Sequence, residues 1–434
     1  MIRVEVRAEQ PLHLGSRVDA GWLTDTHRFV PGSVLRGALA ALWLAEHRPP
    51  KPDTTADAEF QRLFEGAVRF GPLYPDDDAL RPLSVFGCKY ADADDCRRFT
   101  HDAAFDGPAP ASCPACGSPV EASKGHLDGV RVVQHTRVEL DERGRAANGQ
   151  LYTRRALPAD TRLTGLIDGD PDGELAWLTH TERAIRFGGR RSTSGLATLS
   201  AGAEAPPTSF TGFVPHQQRL VVRLVSPGIF VDPLGCPSWL PDVTELSEKL
   251  GVPVAFDAAF ARPTVVSGWH AASNFPKPRD FAVAAGSVFV LHFDAGLPDH
   301  AGLQRLWHAG LGLRRVEGNG WISLQRWHAP ALPSAPPKPQ SDEVRALFLQ
   351  IVGYGIGPTI VDDLRGWAQQ RHVGAARGGT VEGILAKQRY SLLGQQARDL
   401  VREAFTLSAD DVGRLARRID DWTRAHTSDR GRTT

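Results

Sequence analysis

The sequence predicts a mixed α+β chain: a duplicated unit, a metal-binding insertion in its first copy, and a helical extension after its second. Three observations carry this. Residues 4–14 (VEVRAEQPLHL) and 221–231 (VVRLVSPGIFV) share one pattern: a strand, a proline, then an apolar pair. Each copy also ends alike. RFGGRRSTSGLATL (186–199) and GLRRVEGNGWISL (312–324) both carry an Arg-Arg pair, a Gly-containing polar turn and a strand-like stretch, the mark of an internal repeat. Finally, four of the five cysteines fall in one short segment of the first copy, which makes that copy the longer one.

Taken in order, Ile2, Val4, Val6 and Ala8 alternate with Arg3, Glu5 and Arg7, the period of a half-buried strand. A loop follows from Pro11 to Val30. Then FVPGSVLRGALAALWLAEH reads as a helix, with Ser33 as N-cap, a stripe of Leu35, Leu39 and Leu42, and Pro49-Pro50 as its stop. Residues 329–340 (APALPSAPPKPQ) read as a Pro-rich linker. Beyond it Ser408 and Asp411 form a capping box. Val412, Leu415, Ile419 and Trp422 make one apolar stripe, with Arg414, Arg417, Arg418 and Arg424 facing away from it. The terminal SDRGRTT is expected to be a disordered tail.

Cys88, Cys96, Cys113 and Cys116 form C-x7-C-x16-C-x2-C. The Cys113-Pro-Ala-Cys116-Gly half has the shape of a zinc knuckle: two thiolates around a tight turn, then a glycine for backbone clearance. Four soft ligands satisfy a structural zinc with no open position. His101 is the alternative to Cys96, and His126 is a further one. Clustering of this kind in a cytosolic chain favours metal over disulfides.

The Gly-rich turns lack the Walker pattern and the dinucleotide fingerprint. Gly188, Gly189 and Gly195, with Arg190, Arg191, Ser192, Thr193 and Ser194, offer backbone N–H groups, hydroxyls and guanidinium groups suited to phosphates of single-stranded RNA. One such turn alone would be an ordinary surface loop; two at corresponding ends of a repeat favour function. No GxSxG, HExxH or tandem carboxylate motif is present. His13 and His27, beside Asp19 and Asp25, are the residues placed to serve as general acid or base.

Composition bounds the reading. The 434 residues suggest two or three domains. Fifty basic residues balance fifty acidic ones, unlike a free-standing nucleic-acid binder, so an RNA contact would occupy one face only. No apolar run reaches membrane-spanning length, and no signal peptide is evident. The expected compartment is the cytoplasm, with no membrane partner.

These residues resemble a known family. FVPGSVLRGALA is similar to the PGSxLRG helix motif of RAMP-superfamily CRISPR proteins, and RFGGRRSTSGLATL and LRRVEGNGWISL are similar to their Gly-rich loops. LYTRRALPADTRLTGLI (151–167), TRVEL (136–140), VSGWHAASNFPKPRDFAVAAGSVFVLHF (266–293) and the cysteine insertion resemble the large Csx-type RAMP subunit of type III-D systems. The likeness spans roughly residues 1–328. It implies two ferredoxin-like (RRM-like) domains: residues 1–205, with a zinc-binding insertion at about 84–127, and residues 206–328. The linker 329–340 and a helical extension 341–434 follow.

It also implies a non-enzymatic subunit holding the 5′ handle of the CRISPR RNA. Its partners would be the large polymerase-like subunit and the backbone RAMP subunits, with target RNA met indirectly. Carried over by position, the RNA-binding residues are Pro31, Gly32, Ser33 and Arg36 in the helix motif. Gly188, Gly189, Arg190, Arg191, Ser194 and Gly195 follow from the first loop, and Gly318, Asn319 and Gly320 from the second. Leu196-Ala197 stand where an aromatic and Gly-Arg are common, which weakens base stacking at the first loop. Trp321 offers a stacking surface at the second, against the alternative of a buried core residue. The competing reading is a RAMP endoribonuclease, since slicing RAMP subunits resemble this chain in carrying an Asp before the PGS helix, where Asp19 and Asp25 lie.

Overall fold

The computed structural model describes residues 1–20, 23–47, 54–75, 79–91, 94–125, 127, 130–140, 146–179, 182–188, 194–270, 273, 275–329, 341–372 and 381–428. It divides into two compact units: residues 1–84 with 123–330, and residues 85–122 with 331–434.

The first unit holds two copies of one topology. In the first copy the N-terminal strand Ile2–Ala8 leads into helix Gly32–His47, then strands Arg69–Phe70 and Arg162–Asp168, the short helix Ala176–Thr179, and strands Arg183–Arg186 and Leu196–Ala203. Its antiparallel sheet runs Arg183–Arg186, Leu196–Ala203, Ile2–Ala8, Arg162–Asp168, Arg69–Phe70. Setting aside the extra edge strand, the spatial order is fourth, first, third, second. The second copy repeats it. Strand Arg219–Leu224, helix Val243–Leu250, strands Ala255–Phe260 and Val288–His292, helix His300–Ala309 and strand Ile322–Ser323 follow in sequence. Ile322–Ser323 pairs with Arg219–Leu224, which pairs with Val288–His292, which pairs with Ala255–Phe260. Both copies are the split βαββαβ arrangement of a ferredoxin-like fold.

The alternation read from residues 2–8 sets the first core. Ile2, Val4, Val6 and Ala8 are fully buried, and they pack with Leu35, Leu39 and Trp43 of the helix and with Leu163, Ile167, Ala197 and Leu199 of the flanking strands. Each such aliphatic side chain contributes about 1.5–3 kcal/mol by leaving water. The helix differs from expectation in two respects. It begins at Gly32, so Ser33 lies exposed in the first turn and is not the cap; the Trp43 indole, not Leu42, completes the buried stripe. The larger aromatic takes the inner position because it fills the space against Phe60. Pro49 and Pro50 lie outside the described residues.

Between the second and third strands of the first copy, a long hairpin, Val133–Leu140 with Ala146–Ala156, joins Gly15–Ala20 and Leu23–Thr26 in a four-stranded sheet.

The second unit combines the cysteine insertion with the helical extension, segments that the sequence reading assigned to separate domains. The insertion is a three-stranded sheet of Thr100–Asp102, Val85–Cys88 and Val120–Ala122 with helix Asp94–Arg98. The extension comprises helices Ser341–Gly353, Gly357–His372, Val381–Leu385, Gln395–Thr406 and Ala409–Ser428 around a core that includes Leu347, Ile360, Leu364, Val401, Val412, Leu415 and Ile419. Ser408 caps the helix as expected: its hydroxyl accepts from the Asp411 N–H at 3.2 Å, while the Asp411 carboxylate accepts from that same hydroxyl. The basic face does not hold as expected, because Arg418 is 1% exposed. Its guanidinium lies between the rings of Tyr90, at 4.9 Å, and Phe348, at 5.6 Å. The helix buries a second face because the insertion covers it, and a long-range contact of that kind leaves no trace in local periodicity. The Arg424 side chain, most of the linker and the tail 429–434 lie outside the described residues.

Candidate RNA interface and cysteine centre

The two Gly-rich loops are anchored by the same hydrogen bonds. In the first, the Phe187 N–H donates to the Gly195 carbonyl at 2.9 Å and the Gly195 N–H to the Pro11 carbonyl at 3.0 Å. In the second, the Leu311 N–H donates to the Gly320 carbonyl at 2.9 Å and the Gly320 N–H to the Pro227 carbonyl at 2.8 Å. Gly188 rests on the His13 carbonyl as Gly312 rests on that of Ile229, and all four glycines have positive φ. The proline after each first strand thus tethers the loop that closes its own copy.

The loops then diverge. Gly318 of the second loop meets Gly32 of the helix motif backbone to backbone. A Cβ on Gly32 would sit 2.8 Å from the Gly318 Cα and collide with the Phe70 carbonyl oxygen, and a Cβ on Gly318 would meet the same groups. Asn319 is buried and donates to the Arg314 carbonyl at 3.2 Å. Trp321 packs against Gly71 and lies beneath the Arg69 guanidinium at 5.7 Å. Arg69 in turn donates to the Asp168 carboxylate and to the Ala309 carbonyl at 2.6 Å. Arg36 donates to the Phe64 carbonyl at 2.7 Å and pairs with Glu65 at 2.6 Å, closing the end of helix Thr55–Phe64. Gly32, Arg36, Gly318, Asn319, Gly320 and Trp321 therefore join elements of the fold to one another. Of the helix-motif residues, Pro31 is half-buried, and Ser33 and Gly37 are exposed.

Ser194 and Gly195 are buried where the first loop closes; Gly189, Arg190 and Arg191 lie outside the described residues. Its anchor adjoins a basic face that the sequence reading passed over. Register sets His135 opposite Arg154 and Arg137 opposite Tyr152 on one face of the long hairpin. The His135 ring stands 5.8 Å from that of His13, edge-on, and Arg154 lies 5.4 Å over the Tyr152 ring. Burial, and then the charges of His135, Arg154 and Arg137, press the His13 pKa below the usual imidazole range, although its Nδ1 hydrogen bond to the Arg155 carbonyl opposes the shift. The signal was present as His135 and Arg137 of HTR and Arg154 of YTR, stretches that entered the sequence reading only for their family resemblance. Such a face supplies phosphate charge neutralisation and a ring for stacking.

Asp25 accepts from the Thr26 N–H at 2.9 Å and lies 3.4 Å from Arg155. Burial lowers the pKa of His27, whose ring packs edge-on to Phe29 at 5.3 Å. The Asp19 side chain lies outside the described residues.

The four cysteines converge. Cys88, Cys96, Cys113 and Cys116 are buried, and their sulfurs lie within 4.8 Å of one another, Cys88 and Cys116 at 3.6 Å. A tetrahedral site with metal–sulfur bonds of about 2.3 Å has sulfur–sulfur separations of about 3.8 Å, so the set could hold such an ion. The Ala91 N–H donates to the Cys88 sulfur at 3.4 Å, and the Gly117 N–H closes the second turn onto the Cys113 carbonyl at 2.8 Å. The thiol of Cys88 hydrogen-bonds the Cys116 sulfur, which lowers the Cys116 pKa and raises that of Cys88. His101 is engaged with the Gly107 carbonyl at 2.9 Å and stands outside the cluster; His126 is not among the described residues.

Two family models match this chain. That of the RAMP superfamily matches residues 5–195, and that described as CRISPR-associated protein (Cas_Cmr3) matches residues 126–320. The matches overlap and together cover both anchored loops. Residues 5–320 thus match models of RAMP-superfamily and CRISPR-associated proteins. A comparison with curated protein sequences finds no match. Among solved structures, the chain is similar to one in the type III-B Cmr-beta complex bound to cognate target RNA and AMPPnP (14% identity, 66% of this chain and 86% of that one, TM-score 0.40). It is also similar to a chain of the Csm3–Csm4 subcomplex of the type III-A interference complex (11%, 69% and 94%, TM-score 0.30). Thermus thermophilus Cas6 is a third (14%, 74% and 98%, TM-score 0.29). Among the described residues no helix is long and apolar enough to cross a membrane.

Proposed function

We propose that this protein is a non-catalytic, RNA-binding RAMP subunit of a type III CRISPR effector complex, of the III-D kind. It works in the cytoplasm beside the large polymerase-like subunit and the backbone RAMP subunits, and it holds the 5′ handle of the CRISPR RNA. The observation that carries the reading is the basic face of His135, Arg137, Tyr152 and Arg154 beside the anchor of the first Gly-rich loop at His13. The helix motif and the second loop serve mainly to join the two copies, so RNA contact is assigned to the first copy. Arg190 and Arg191 belong to the same Gly-rich loop in sequence, and we assign them phosphate contacts by their charge. The Asp25 carboxylate is engaged with Thr26 and Arg155, which supports the non-catalytic reading. The cysteine centre holds a structural zinc, because four thiolates match that ion's preference.

The test is binding of the handle RNA to Arg137→Ala/Arg154→Ala and to Arg190→Ala/Arg191→Ala across a salt series, with RNA cleavage by the reconstituted complex measured alongside. Each pair should weaken binding, and the salt slope should fall by about one for each phosphate that is no longer neutralised. Asp19→Ala and Asp25→Ala should leave cleavage unchanged. Loss of cleavage in either, with the complex assembled, would promote the endoribonuclease reading. Elemental analysis should find about one zinc per chain, absent from Cys113→Ala/Cys116→Ala.

A further inference from the structure

Within the second unit, the turns of the cysteine cluster bond to the helical extension at several described positions. Lys89 and Tyr90 directly follow Cys88, and Ala115 lies between Cys113 and Cys116. The Lys89 ammonium meets the Asp421 carboxylate at 2.5 Å. The Tyr90 hydroxyl donates to the same carboxylate and lies 3.1 Å from the Arg417 carbonyl. The Tyr90 ring forms one side of the sandwich around the buried Arg418 guanidinium. The Arg345 guanidinium donates to the Ala115 carbonyl. Both halves of the cysteine cluster thus present their turn residues to helices Ser341–Gly353 and Ala409–Ser428.

We infer that the cysteine centre is a metal-set dock for the C-terminal extension. The inference rests on the metal reading above. Its physical basis is that the turn after Cys88 and the Cys113–Cys116 turn have little apolar core of their own; among the described residues, Phe99, Ala115 and Val120 are the hydrophobic side chains that pack against the four cysteines. With so small a core, folding depends on ligation. Ion binding fixes the two turns relative to each other, and only then do Tyr90 and the Ala115 carbonyl stand where Asp421, Arg418 and Arg345 can meet them together. The extension has its own large apolar core, so loss of the ion undocks it without melting it.

The experiment uses the full chain with a protease site inserted between Ala335 and Pro336. After cleavage, size exclusion asks whether residues 336–434 stay with residues 1–335, and elemental analysis measures metal in each fraction. Hydrogen exchange at Ile2–Ala8 verifies that the first unit is folded. The fragment should stay bound in the metal-loaded protein and separate when a chelator has removed the ion. Tyr90→Phe, which keeps the ring and removes only the hydroxyl, and Arg345→Ala should each keep the metal yet weaken retention about ten-fold, as expected for one charge-assisted hydrogen bond. A fragment that stays bound after complete metal removal, or undiminished retention in both variants, would overturn the dock while leaving the metal site standing. Protein that carries no metal as purified would remove the metal reading and the dock with it.

Discussion

Gly32 and Gly318, far apart in sequence, meet where neither tolerates a Cβ. Gly32→Ala should cost about 1–3 kcal/mol, the range for overpacking a filled site. Gly318→Ala should cost at least as much, because its φ of +90° adds backbone strain. Denaturant midpoints measure both, and an unchanged midpoint in either would show that the packing there is slack. At the residue directly before Gly318, burial alone would raise the Glu317 carboxyl, yet hydrogen bonds and charges from Arg314 and Lys277 outweigh it and hold its pKa at about 2. A carboxyl depressed on folding stabilises the fold above its unfolded value, near 4.5, and that stabilisation drains away as pH falls towards about 2. Glu317→Gln should therefore be less stable than the parent at pH 7, with the gap narrowing between pH 4.5 and 2. A gap that stays constant with pH would mean that the destabilisation comes from packing.

Elements with a local signature were readable. The alternation of residues 2–8, the helix after Pro31 and the Ser408 cap each depend on neighbours in sequence, and each is present. The repeat was legible for the same reason, since proline and glycine sit at fixed offsets from the strands they tether. What escaped was whatever depends on partners distant in sequence. Arg36 and Asn319 were read as RNA-binding residues because they lie in shared motifs; the sequence did not reveal their partners, Phe64, Glu65 and Arg314, through which they also close the fold on itself. Arg418 looked exposed by periodicity, yet Tyr90 covers it. The basic face of the long hairpin required the register that sets His135 against Arg154. Inserting one residue into Val133–Leu140 should move His135 and Arg137 to the opposite face. Handle-RNA affinity should then fall about as far as in Arg137→Ala/Arg154→Ala; affinity at the parent level would show that the face does not matter.

At the scale of the molecule, the chain order conceals the division. The first unit is interrupted at residue 84 and resumes at 123, and the excised segment joins helices that begin more than two hundred residues later. Two units with separate cores should unfold separately. Chelation should lower the transition of the second unit and leave that of the first in place; a single transition that shifts as a whole would contradict the division. Net charge balances over the chain, so the proposed RNA binding rests on local concentration of charge. The most direct test of that claim is handle-RNA affinity, from low to physiological salt, for the parent and for Arg137→Ala/Arg154→Ala. The account predicts weaker binding and a shallower salt slope, by about one for each phosphate the variant no longer neutralises, with fold and metal content retained. Equal affinity and an equal slope in parent and variant would contradict it.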